Sequence, residues 1–177
     1  MRWVVTGVHL RGSMSPPYVP ALDLPSAVPG HYRRYMKISD VLRSKGTDVV
    51  TVAPDATVGE LLALLAEHRI GAVVVSTGEG SVDGIVSERD VVRRLHSDGV
   101  GVVEGPVSAI MTAEVHTCDE HADVRDLAGE MTDRRIRHVP VVRDGQLVAI
   151  VSIGDIVKQR IRDLAAERDQ LEAYITQ

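Results

Sequence analysis

"VVTVAPDATVGELLALLAEHRIGAVVV" runs from Val49 to Val75, and "VHTCDEHADVRDLAGEMTDRRIRHVPV" from Val115 to Val141. Laid over each other, Val49 falls on Val115 and the shift is 66. Thr51, Ala56, Val58, Leu61, Arg69, Ile70, Val73 and Val75 then also meet identical residues. Beyond "STGEGSVDG" and "VRDGQLVA" the shift becomes 65, and Ile85, Val86, Ser87 and Asp90 match Ile150, Val151, Ser152 and Asp155. The single-residue change falls in turn-rich sequence, where length changes are cheap. A register kept on both sides of a loop marks an internal duplication, the feature to seek before any other.

Each copy reads in the same order. A short helix leads in ("ISDVL", "VSAIM"), and a short β segment follows ("VVTV", "VHTC"). Next comes an amphipathic helix, in which Leu61, Leu62 and Leu65 share a stripe with Val58 at helical spacing. Thr57-x-x-Glu60 opens that helix as a capping box. Two β-branched strands joined by a Gly-containing turn lead to a last helix. The order is β-α-β-β-α, twice. A copy of about 60 residues buries little surface alone. The expectation is therefore an α/β (α+β) fold in which the two copies stack sheet against sheet and share one core, as one pseudo-twofold module.

The flanks differ. Residues 1–35 include "SMSPPYVPALDLPSAVPG", with five prolines and little periodicity. Such a stretch cannot bury enough to offset its ordering entropy and reads as a flexible extension. Apolar periodicity begins at Met36, which is either an internal residue after a disordered tail or the natural start. The divisions expected are 1–35 extension, 36–101 first repeat, 102–160 second repeat and 161–177 a C-terminal helical extension. In that extension Ile161, Leu164, Ala165, Arg168, Leu171 and Ile175 recur at three or four, as on a face packed in its own domain or in a dimer.

Composition excludes several functions. Aromatics are 3% and Phe is absent, so base-stacking platforms for single-stranded nucleic acid are missing. A net charge of −5 argues against a broad phosphate-tracking surface and makes nucleic acid an improbable partner. The single Cys118 excludes an internal disulfide and a Cys-cluster zinc site, and it reads as a small strand residue in a reducing, cytoplasmic setting. No apolar run approaches the roughly 20 residues of a membrane span. "MRWVVTGVHLRG" begins like a signal peptide, but Thr6, Gly7 and His9 break its apolar stretch. No phosphate-binding G-x-x-x-x-G-K-[ST], no G-x-G-x-x-G and no nucleophile beside a base occurs. His68, His116 and His121 lack ligand spacing. The expectation is no enzyme, no metal and no required cofactor.

What remains is Ser-x-x-Asp, used at Ser87–Asp90 and at Ser152–Asp155. The bland meaning is a capping box, with Ser at the cap and the acid reaching back from the third helical position. Both copies, however, directly follow a strand of buried type. A helix N-terminus there offers free N–H groups and partial positive charge to a phosphate. An Asp one turn in can accept hydrogen bonds from two vicinal hydroxyls, the pair a ribose presents. Capping and binding are compatible.

From Met36 onward the chain resembles a CBS-domain pair, or Bateman module, most closely the small stand-alone bacterial type. The resemblance rests on the tandem β-α-β-β-α order, on "VSAIMT", on "RHVPVV" and on the two strand–Ser-x-x-Asp–helix junctions. It implies a regulatory sensor that binds an adenine nucleotide (AMP, ADP, ATP, NAD or S-adenosylmethionine) between the repeats. It implies ribose at Asp90 and Asp155, with phosphate near Ser87 and Ser152. It places the base against Val50, Ile70 and Ala72 in one site and against His116, Ile136 and His138 in the other, positions that would otherwise read as plain core. Arg89 and Arg93 flank Asp90, whereas Gly154 and Lys158 hold the equivalent places in the second copy. The second site must borrow charge from Arg137, His138 or across the cleft. The resemblance also implies a homodimer formed through helices and a separate, unknown protein partner. The rival reading is a structural or interaction protein whose nucleotide sites are vestigial.

Overall fold

The computed structural model describes residues 36–78 and 80–175; the extension expected over residues 1–35 lies outside the described residues. Helix α1 (Ile38–Lys45) is followed by β1 (Thr51–Val52), α2 (Val58–His68), β2 (Ala72–Val75), β3 (Gly84–Ser87) and α3 (Glu88–Asp98). Two 3-10 turns, Val100–Glu104 and Val107–Ala109, lead to β4 (Cys118–Asp119), α4 (Val124–Asp133), β5 (His138–Arg143), β6 (Gln146–Ser152) and α5 (Ile153–Ile175). The duplicated order is therefore present, with "VSAIM" a 3-10 turn rather than a full helix. The first β segments are also shorter than "VVTV" and "VHTC".

Each repeat builds its own three-stranded sheet, in the orders β1-β2-β3 and β4-β5-β6. The first pair is parallel and the second antiparallel in both. Alternation decides which face is covered. Val73, Val75 and Val86 point to the helices of the first repeat, and Val139, Val141 and Val151 to those of the second. The opposite face carries Ala72 and Val74 in one sheet and Pro140 in the other, all buried. The capping box of α2 forms as expected: Glu60 N–H donates to Thr57 Oγ1 at 3.1 Å and Thr57 N–H to Glu60 Oε2 at 2.7 Å. Leu62, placed on the apolar stripe by its spacing, is instead 36% exposed, while Val58, Leu61 and Leu65 are buried.

The expectation of one shared core is corrected. Two cores form, and the lead-in segments trade places between them. Ile38, Val41 and Leu42 of α1 pack among Val124, Leu127, Met131 and Ile156 of the second repeat. Val107 and Ile110, from the lead-in segment of the second repeat, pack among Val58, Leu61, Leu65 and Val91 of the first. Backbone bonds fix the exchange: Ile38 N–H donates to the Ala122 carbonyl at 3.0 Å, and Val107 N–H to the Ala56 carbonyl at 2.8 Å. A small repeat cannot close its helix-covered face with its own residues, and the other repeat's lead-in fills the gap.

Candidate nucleotide site

Strand pairing gathers the residues the motif singles out. Ala72 lies opposite Ser87 across β2 and β3, and His138 lies opposite Ser152 across β5 and β6. The two repeats repeat the joint that follows. Glu88 N–H, at the start of α3, donates to the Gly71 carbonyl at 3.1 Å, and Ile153 N–H, at the start of α5, to the Arg137 carbonyl at 2.9 Å. Thr51 faces Val74 in the parallel pair, so Val50, one residue before the strand, falls level with Val73, next to Ala72 in sequence. Ile70 and Ile136 are half-buried, each packed against the core of its own repeat. The halves approach at Gly71, where a Cβ would stand 3.7 Å from His138 Cε1.

Both Ser-x-x-Asp motifs form capping geometry. Asp90 Oδ2 accepts Ser87 N–H at 2.9 Å and Ser87 Oγ–H at 2.6 Å. Asp155 Oδ2 accepts Ser152 N–H and Ser152 Oγ–H, each at 2.8 Å. In both motifs, among the described residues, Oδ1 takes no hydrogen bond. The cap thus consumes one carboxylate oxygen and leaves the other without a hydrogen bond among the described residues.

The copies then diverge. Lys45 Nζ, from α1, donates to Asp155 Oδ2 at 2.7 Å and to the Ile150 carbonyl at 2.8 Å. Burial pushes the Asp155 carboxyl up, but the hydrogen bonds from Lys45 and Ser152 and the Lys45 charge outweigh it, and the group sits below its ordinary range. Asp155 also borders a groove of about 240 Å³ between α1 and α5, with Val41, Ser44, Lys45, Lys158, Gln159 and Arg162. No cation engages Asp90 among the described residues.

A larger cleft, of about 350 Å³, opens beside the second repeat. Its lining is Met131, Thr132, Arg135, Ile136, Arg137 and Ile153 of that repeat, together with Arg89 of the first. The cleft therefore gathers guanidinium groups from both repeats, Arg89 from the first and Arg135 and Arg137 from the second. Arg89, Arg135 and Arg137 have no carboxylate partner among the described residues. Guanidinium groups left unpaired in a concavity with apolar walls suit a bidentate anion such as phosphate.

Arg135 was not singled out by motif. Its signal is in the duplication: Arg69 and Arg135 are identical partners, and both take a positive φ (54° and 56°) just after α2 and α4. That left-handed step turns the chain from helix into the Ile70 and Ile136 segments. Of the residues expected at the site, Arg89, Ile136 and Arg137 line this larger cleft, whereas Val50, Ile70, Ala72, His116, His138 and the Ser-x-x-Asp residues Ser87, Asp90, Ser152 and Asp155 do not. His116 Nε2 lies 2.6 Å from Glu130 Oε2 on α4. Burial, then the Lys45 charge, holds the His138 imidazole below its ordinary value of 6.5. Burial likewise pushes the Cys118 thiol up to about 12, so this strand residue stays protonated and unreactive. Among the described residues, no group of three or more His, Cys, Asp or Glu could hold a metal, and no helix is long and apolar enough to cross a membrane.

Comparison with known proteins bears on the same residues. The family profile "CBS domain" matches twice, over residues 38–97 and 107–162. The mitochondrial CBS domain-containing protein CBSX3 of Arabidopsis thaliana is 36% identical over 146 residues, 78% of this chain and 71% of the relative. The CBS-domain protein ATU1752 of Agrobacterium tumefaciens has a crystal structure similar to this one: TM-score 0.69, 44% identity, covering 71% of this chain and 99% of that chain. The CBS-domain pair of MJ0100, crystallised in complex with 5'-methylthioadenosine and S-adenosylmethionine, matches with a TM-score of 0.63 at 26% identity, over 70% of this chain and 98% of that one.

Proposed function

The chain belongs to the CBS-domain family, and from that premise we propose that it is a regulatory module that binds an adenosine nucleotide between its two repeats. The observation that carries the reading is the cleft where Arg89 of one repeat joins Arg135 and Arg137 of the other. The MJ0100 pair, in complex with two adenosine compounds, supports the adenosine part. The three arginines favour AMP, ADP, ATP or NAD over S-adenosylmethionine, whose sulfonium would add positive charge to an already cationic cleft. Ile136 supplies an apolar wall for the base, and Asp90 and Asp155 each offer a free oxygen to ribose hydroxyls.

A phosphate held by Arg89 and Arg137 together would tie the two repeats to each other. Its effect is then a change in how the repeats pack, limited by the ligand's differential affinity for the two packings. The output passes to a separate protein, without chemistry at the site. The module works as a homodimer, on the strength of the exposed apolar residues of α5. The free, inert Cys118 suits a reducing compartment such as the cytoplasm. The rival reading, an interaction protein with vestigial sites, has one observation in its favour: Lys45 already neutralises Asp155.

Isothermal titration with AMP, ADP, ATP, NAD and S-adenosylmethionine tests the proposal, together with mass spectrometry of nucleotides released from protein purified without added ligand. Saturable binding of a phosphate-bearing member supports it. A flat titration across the whole panel overturns it in favour of the interaction protein.

A further inference from the structure

Helix α5 continues past the second repeat, and its exposed residues carry a pattern of their own. Val157, Ile161, Leu164, Leu171 and Ile175 are between 49% and 80% exposed. With Arg168 they occupy positions 157, 161, 164, 168, 171 and 175, spaced alternately by four and three. This is the a/d repeat of a two-stranded coiled coil. Ile156, by which α5 is buried in the core of its own repeat, lies on a different face. The stripe is therefore not the side by which the helix packs on its own domain.

We infer that this stripe pairs with the same stripe of a second copy of the chain, antiparallel, about a two-fold axis beside Ala166. The inference rests on the homodimer reading above and adds its orientation and register. Arg168 decides between the two directions. In a parallel pair every stripe residue meets itself, so Arg168 would face Arg168 of the second copy inside an apolar seam. In the antiparallel pair Val157 meets Ile175, Ile161 meets Leu171, and Leu164 meets Arg168. The aliphatic stem of Arg168 then packs on leucine. Its guanidinium keeps its own neighbours, Asp169 at 2.6 Å and Glu172 at 3.7 Å. The flanks agree: Lys158 of one copy and Glu172 of the other fall on the same side of an antiparallel seam, with opposite charge.

Cysteine cross-linking in the full chain reads this register directly. In a Cys118→Ala background, Ile161→Cys and Leu171→Cys are made separately; both positions are exposed, and unchanged circular-dichroism melting confirms the fold. After oxidation, the mixture of the two variants should give a disulfide-linked dimer, and neither variant alone should. Residue 161 stands about 15 Å along the seam from its own symmetry mate at 1.5 Å per residue, beyond the roughly 7 Å limit between Cα atoms for a disulfide. Either variant linking to itself, with the mixture giving no added product, means a parallel seam and overturns the inference. No link in any sample, with a dimeric mass by light scattering, places the dimer elsewhere: the inference falls and the homodimer stands. A monomeric mass at micromolar concentration overturns both.

Discussion

Lys45 Nζ stands 2.7 Å from Asp155 Oδ2, although 110 residues separate the two along the chain. The contact exists because α1 leaves its own repeat and packs in the core of the second. It makes the two Ser-x-x-Asp motifs unequal: Asp155 carries a counter-ion from the protein, and among the described residues Asp90 does not.

Lys45→Met should cost stability at neutral pH by about 1 kcal/mol, the pair being only partly shielded from water. The pH dependence has a fixed sign. The Asp155 carboxyl is lowered in the folded protein, so its contribution is present above its ordinary value of 3.8 and is lost as pH falls through the folded value. The melting-temperature gap between wild type and Lys45→Met should therefore persist near pH 7 and close in acid. A gap that stays constant down to pH 2 would show that the pair contributes nothing through this titration.

Asp90→Asn should remove nucleotide binding at the first site and leave the apo protein nearly as stable. A capping change alone costs at most about 1 kcal/mol. Losing a charge-assisted bond to ribose costs roughly 1.5–3 kcal/mol of binding, about ten- to a hundredfold in affinity. Asp155→Asn should act on the second site, with a smaller loss of affinity because Lys45 competes there. Titration calorimetry of the two single variants and the double variant separates the events. Binding unaltered in the double variant returns both motifs to helix caps.

Arg89→Ala and Arg137→Ala should weaken one and the same binding event, although the residues belong to different repeats. Each should cost about ten- to a hundredfold in affinity for a phosphate-bearing nucleotide, at roughly 1.5–3 kcal/mol per bond to a charged group. The double variant should lose less than the sum, because the two share one ligand group. If Arg89→Ala abolished a different event from Arg137→Ala, the cleft between repeats would not be the binding site.

Ile38→Ala tests the exchange of lead-in segments. Ile38 is fully buried, and its truncation should cost about 2–5 kcal/mol. Hydrogen exchange should then quicken first in β5, β6 and α4 of the second repeat, although Ile38 belongs in sequence to the lead-in of the first. Quickening confined to β2 and β3 would show that α1 belongs with its own repeat.

Much of this architecture was legible in the sequence. The shift of 66, changing to 65 at the turns, marked the duplication, and period-2 and period-3.6 patterns placed the strands and long helices. Thr57 and Glu60 announced a cap that forms, and Ser87, Asp90, Ser152 and Asp155 announced junctions at which strand pairing then sets Ala72 and His138 beside the serines. These features depend on neighbours a few residues apart, and local sequence encodes them directly. Tertiary structure alone decided that α1 crosses to the second repeat, that Arg89 turns into the cleft of the other half, and that Lys45 reaches Asp155. Periodicity says which face of an element is apolar. It does not say which of two equivalent apolar faces that element will cover. In a duplicated chain the two repeats present nearly the same surface to each lead-in helix, and only the packing of the whole chooses between them.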